Sequence, residues 1–145
     1  MIYWDTSALL KLYVTEPGSQ ELLQFATDSE ELFACSAIAT IEMLCALHRK
    51  QAEGDLGGKS VKVIYLKFLD DIRAGRLSVL PLDSDVTAAA EKVVREAHER
   101  RPKILLCSLD AIHLATAISA RALIMVTADT RLRDLAEVAG MKVVP

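Results

Sequence analysis

The sequence predicts an α/β fold, a single domain over residues 1–145 with a mainly parallel sheet of about five strands flanked by about seven helices. Short β-branched or apolar runs alternate with longer helical patterns, the order that produces right-handed βαβ units. Apolar residues make up 52% of the chain and aromatic residues only 5%, so Leu, Ile, Val and Ala must fill the core, as in helices laid on a buried parallel sheet. At 145 residues the chain suits one hydrophobic core.

Each element follows in order. "IYW" (2–4) reads as a buried strand, and the apolar spacing of 7–14 as a helix that Pro17-Gly18 ends. A helix at 19–28 leads to a strand "LFAC" (32–35). A long helix at 37–53 stops at Gly54, and another at 59–74 runs from Gly57-Gly58 to Gly75. "LSVLPL" (77–82) is a strand whose Pro81 cannot donate to a ladder, which places it at a strand end or sheet edge. Helices at 84–99 and 109–120 precede the strand "ALIMVT" (122–127), and a helix at 131–139, closed by Gly140, precedes "KVV" (142–144).

Three cysteines, Cys35, Cys45 and Cys107, are an odd number without close spacing, which argues against a disulfide framework or a zinc site and for buried, reduced thiols. No run approaches the ~20 apolar residues of a membrane span, and "MIYWD" has no basic leader, so a cytoplasmic protein without membrane association is expected. A net charge of −3 gives no general attraction to nucleic acid. Basic residues do cluster in "HRK" (48–50), in "HERRPK" (98–103) and at Arg131 and Arg133, patterns that usually mark solvated surface.

The acids are more informative. Asp5 follows the first strand and Asp129 the fourth, at the carboxyl ends where open parallel sheets hold ligands. Asp110 falls in the first turn of a helix with Ser108 as its cap, and Glu42 lies about two turns into a helix with Ser36 as its candidate cap. Ile38, Ile41 and Cys45 follow i, i+3, i+7 spacing, and Glu42 takes the i+4 slot of that stripe. Each acid has a plain structural alternative: Asp5 and Asp129 as helix caps, Asp110 as a complement to a helix dipole, Glu42 as the partner of an Arg. Brought together in one cleft, the four would repel one another, raise at least some of their pKa values, and require protons or a cation. Carboxylate oxygens without His or thiolate ligands suit Mg²⁺ or Mn²⁺ and hence phosphoryl chemistry.

Four segments, "IYWDTSALLKLY", "IATIEMLCAL", "SLDAIHLATA" and "MVTADTRLRDLA", resemble the successive acidic motifs of the PIN-domain ribonucleases, especially the VapC-type toxins of prokaryotic toxin–antitoxin pairs. The resemblance spans essentially the whole chain. It implies a metal-dependent endoribonuclease using Mg²⁺ or Mn²⁺, in which Asp5 and Asp129 bind metal, Asp110 shares in ligation, and Glu42 either ligates or orients the attacking water. Ser7 and Thr127 match the hydroxyls that hold those carboxylates, with capping an equal alternative for Ser7. Phosphate contacts would fall to Lys11, Arg49, Lys50, Arg131 or Arg133. The implied partners are RNA, such as tRNA or rRNA, a cognate antitoxin covering the cleft, and a second copy in a homodimer.

Other classes fit less well. A non-toxin PIN-type nuclease of RNA processing would carry the same acids. "DTSAL" partly matches the D-x-S-x-S start of metal-dependent adhesion domains, but Leu9 stands at the second serine. A phosphate-accepting receiver would need paired acids after the first strand and an acceptor Asp after the third. A hydrolase pairing Ser7, Ser36 or Ser108 with His113 lacks a G-x-S-x-G elbow, and His113 reads as a packed helix residue.

Overall fold

The computed structural model describes all residues, 1–145. Its elements are β1 (Ile2–Trp4), α1 (Thr6–Leu10), α2 (Ser19–Asp28), β2 (Phe33–Ser36), α3 (Ile38–Glu53), α4 (Val61–Arg73), β3 (Leu77–Leu80), α5 (Ser84–Glu99), α6 (Ser108–Ser119), β4 (Ile124–Val126), α7 (Thr130–Val138) and β5 (Lys142–Val144). All strands are parallel, in the order β3-β2-β1-β4-β5. The sequence thus predicts the sheet and its helices, with strand ends displaced by one or two residues.

β1 is central because both of its faces are apolar. Ile2 and Trp4 point into a core shared with Met43, Leu47 and Phe68 of α3 and α4, while Tyr3 points into a second core with Leu114 and Leu132 of α6 and α7. The sheet is therefore sandwiched, with α1 to α4 supplying one core and α5 to α7 the other. β3 lies at the sheet edge and ends one residue before Pro81, as its missing N–H requires. The helix expected at 7–14 is regular only to Leu10, after which Leu12 and Tyr13 turn back to Leu9 and Leu10 through i→i−3 bonds.

Several local expectations are corrected. Cys107, not Ser108, caps α6: its thiol accepts from the Asp110 N–H, and the Asp110 carboxylate accepts from the Cys107 N–H, both at 3.4 Å. Ser36 belongs to β2 and is not the cap of α3, which starts from Ala37 without a side-chain bond. Cys35 is buried, but Cys45 and Cys107 are exposed, because one lies on the outer side of α3 and the other at a helix start. The buried face of α3 is Ala39, Met43, Ala46 and Leu47, whereas Ile41 is 68% exposed. That helix carries two apolar stripes, and only the sheet decides which faces inward. Glu42 keeps its i+4 place on the Ile38–Ile41–Cys45 face, at the edge next to the buried stripe, and is half-buried there.

Candidate active site

Two acids stand where the central strands end. Asp5 directly follows β1, caps α1, and is 4% exposed. Its Oδ1 accepts from the Ala8 N–H at 2.9 Å and from the Ser7 hydroxyl at 2.8 Å, and its Oδ2 accepts from the Thr127 hydroxyl at 2.7 Å. Burial pushes the Asp5 carboxyl above its ordinary pKa, and these donors only partly offset it. Asp129 caps α7, its Oδ1 accepting from the N–H groups of Arg131 and Leu132 at 2.8 and 3.2 Å. Capping uses only one oxygen, and Oδ2 of Asp129 faces the Arg131 guanidinium at 3.1 Å. Partial burial works upward on this carboxyl, but the bonds from Arg131 and Leu132 outweigh it and hold it below the usual range.

The two strand ends are joined by hydroxyls. Thr127 donates to Asp5 and accepts from the Asp129 N–H at 3.0 Å, while Ser7 donates to Asp5 and accepts from the Ala128 N–H at 3.0 Å. The two residues thus tie the turn after β1 to the turn after β4. Asp110 completes the group through Arg131, whose Nη2 lies 3.8 Å from Asp110 Oδ2 as well as 3.1 Å from Asp129 Oδ2. Arg131 serves as a cation between two acids, a use more specific than the rim contact expected of it.

Glu42 approaches from α3 but is held differently. Its Oε2 accepts from the Thr6 hydroxyl and lies 2.7 Å from Nε2 of His113, whose Nδ1 is 2.7 Å from the Tyr3 hydroxyl. Burial works upward on Glu42, yet the bonds from His113 and Thr6 prevail and lower its pKa. The basic partner is an imidazole, not the Arg considered from the sequence. The expected mutual repulsion does not dominate these acids: Asp5 rises through burial, whereas Glu42 and Asp129 fall because each has a donor.

As placed, no three acidic, thiol or imidazole side chains converge on a single point close enough to share an ion. Four acids instead line one rim, two of them spanned by a guanidinium. A cavity of about 410 Å³ adjoins Glu42 and Ser7 and is lined also by Thr6, Lys11, Arg49 and Lys50. Lys11 and Lys50 both pair with Glu16, Lys11 at 3.0 Å, so Arg49 is the basic group there without a salt bridge. Arg133 stands apart, its Nε buried without a partner. The sequence reading missed Tyr3 and Thr6, whose only signal was their closeness in sequence to the strand-end aspartate.

The PIN domain family model matches residues 2–138. Ribonuclease VapC35 of Mycobacterium tuberculosis is 34% identical over 149 aligned positions, covering 99% of this chain and 96% of the relative. Among solved structures, VapC20 of Mycobacterium tuberculosis, a toxin that cleaves the sarcin–ricin loop, superposes with a TM-score of 0.73 at 17% identity over 100% of both chains. VapBC2 of Rickettsia felis, bound to a DNA fragment from its promoter, gives a TM-score of 0.66 at 18% identity, covering 99% of this chain and 98% of that one. The two structures establish a shared fold, and the family model and VapC35 go further. The chain belongs to the PIN domain family and, within it, to the VapC-type ribonucleases.

Proposed function

We propose that this protein is a divalent-metal-dependent endoribonuclease acting in the cytoplasm as the toxin of a toxin–antitoxin pair. The observation that carries the reading is the linkage Asp5–Thr127–Asp129, which fixes a buried carboxylate beside a second one at the carboxyl ends of adjacent parallel strands. The donor set fits Mg²⁺ or Mn²⁺: every candidate ligand is a carboxylate oxygen, and burial disfavours the charged form of Asp5, which a nearby cation would favour. Asp5, Asp110 and Asp129 would hold the ion, with Glu42 beside them. When bound, the ion polarises the phosphoryl oxygen and lowers the pKa of water.

The chain's own residues supply the rest. Glu42 is ionised at neutral pH and has an Oε1 without a hydrogen-bond partner in the protein, so it can accept a proton from, or orient, an attacking water. Ser7 and Thr127 keep Asp5 and Asp129 in register. Arg49, with Lys11 and Lys50 behind it, offers phosphate contacts to an RNA such as tRNA or rRNA. A cognate antitoxin would cover this cleft, and a second copy would complete a homodimer.

Cleavage of structured RNA is expected with Mg²⁺ or Mn²⁺ and is expected to stop on adding EDTA. Cleavage that survives chelation would sink the proposal. Arg131 gives a separate test, because its guanidinium competes for Asp110 and Asp129. Arg131→Ala should tighten Mn²⁺ binding in calorimetry while weakening RNA binding and flattening its salt dependence. Arg133→Ala should leave Mn²⁺ affinity unchanged. Weaker Mn²⁺ binding by Arg131→Ala would show that the guanidinium does not stand in the ion's place.

A further inference from the structure

Glu42 has two oxygens, and the structure treats them unequally. Oε2 receives both the Thr6 hydroxyl and His113 Nε2, while Oε1 receives nothing from the protein. We propose that His113, locked by Tyr3, is a positioning residue that pins Oε2 of Glu42 and leaves Oε1 facing the cleft. The proposal rests on the nuclease reading above and deepens it.

Donors and acceptors around the ring fix its orientation. A carboxylate can only accept, so the ring N–H that faces Glu42 must sit on Nε2, and in that Nε2–H tautomer Nδ1 is an acceptor. Tyr3 supplies the matching donor, its hydroxyl 2.7 Å from Nδ1. Swapping the tautomer would leave two acceptors facing across the 2.7 Å between Nε2 and Oε2. Tyr3 is wholly buried, His113 is 3% exposed and Thr6 is 8% exposed, so no bulk water is at hand to satisfy a misplaced group. The imidazole is also held edge-on to the Tyr3 ring, with centroids 5.9 Å apart and planes at 71°. Four elements meet here: β1 gives Tyr3, α1 gives Thr6, α3 gives Glu42 and α6 gives His113. α6 also carries Asp110 one turn earlier, so a single helix places one acid and orients another.

Tyr3→Phe removes one oxygen and keeps the packing, and His113→Gln keeps an N–H able to reach Glu42, whereas His113→Leu has none. Against RNA with saturating Mg²⁺, His113→Leu is expected to lower kcat by about 10–100-fold with KM within about twofold of wild type. His113→Gln should recover most of that loss, and Tyr3→Phe should lower kcat severalfold. Nitrogen-15 NMR of the metal-free protein supplies a readout independent of activity: His113 should be the Nε2–H tautomer in wild type and a mixture in Tyr3→Phe. An Nδ1–H tautomer in wild type, an unchanged kcat in Tyr3→Phe, or a His113→Gln no better than His113→Leu would overturn the proposal. Should His113→Leu fail to fold, Tyr3→Phe and the NMR spectrum decide it. An inactive wild type with the Nε2–H tautomer would instead count against the nuclease reading and leave the hydrogen-bond assignment standing.

Discussion

Asp5→Asn should cut RNA cleavage by at least about 10³-fold yet leave the EDTA-treated protein as stable as wild type at pH 7, or more so. Burial raises the Asp5 carboxyl above its unfolded pKa. A carboxyl raised in this way contributes stability that is fully present below the unfolded pKa and is lost as pH rises through the folded value. Toward pH 7 the raised folded pKa therefore costs stability, and an amide, which does not titrate, removes that cost. Asparagine also caps a helix about as well as aspartate, so its Oδ1 can still accept from Ala8, while the Thr127 and Ser7 hydroxyls can rotate to meet the new N–H₂. Thermal melts from pH 4 to pH 8 should show the Asn variant gaining on wild type as pH rises. A variant less stable at pH 7 by more than about 1 kcal/mol, and still active, would reduce Asp5 to a helix cap.

Phe68→Ala is expected to cost about 3–5 kcal/mol in urea unfolding, a purely structural loss. Phe68 is completely buried in the core that backs β1, with ring centroids 5.7 Å from Tyr13 and 5.9 Å from Tyr65. These neighbours are anchored by their hydroxyls, Tyr13 to Asp71 at 2.7 Å and Tyr65 to the Thr40 carbonyl at 3.2 Å, so they cannot easily collapse into the space. The bond to Thr40 ties α4 to the helix carrying Glu42, and cleavage by Phe68→Ala should fade at a lower temperature than by wild type. A loss below about 1 kcal/mol would mean that the core refills the cavity.

The alternation of strands and helices is legible because each reports a local period, and the four acids are legible because each interrupts an apolar context or follows a strand. Their partners are not. Glu42 and His113 lie 71 residues apart, and nothing local tells the chain that an imidazole rather than a guanidinium will meet that carboxylate. The inward face of α3 was likewise underdetermined, since Ile41 and Met43 are equally apolar and only the sheet distinguishes them. The cap of α6 escaped because Cys is a poor cap by preference, yet its thiol stands where the turn needs an acceptor. The role of Arg131 required knowing that the starts of α6 and α7 come together.

The register of the sheet sets when this centre can exist. Ile2, Tyr3 and Trp4 of β1 pair with Ile124, Met125 and Val126 of β4, so one side of the central strand closes only through a contact between segments far apart in sequence. Asp5 meets the Thr127 hydroxyl, and through it Asp129, only after β4 has arrived. Pairing over such a sequence separation is slow, and the loop-closure entropy must be overcome before any contact repays it. Until β4 docks, Asp5 and Asp129 stay uncoupled, so the folding step that closes the centre of the sheet is also the step that brings the strand-end carboxylates together.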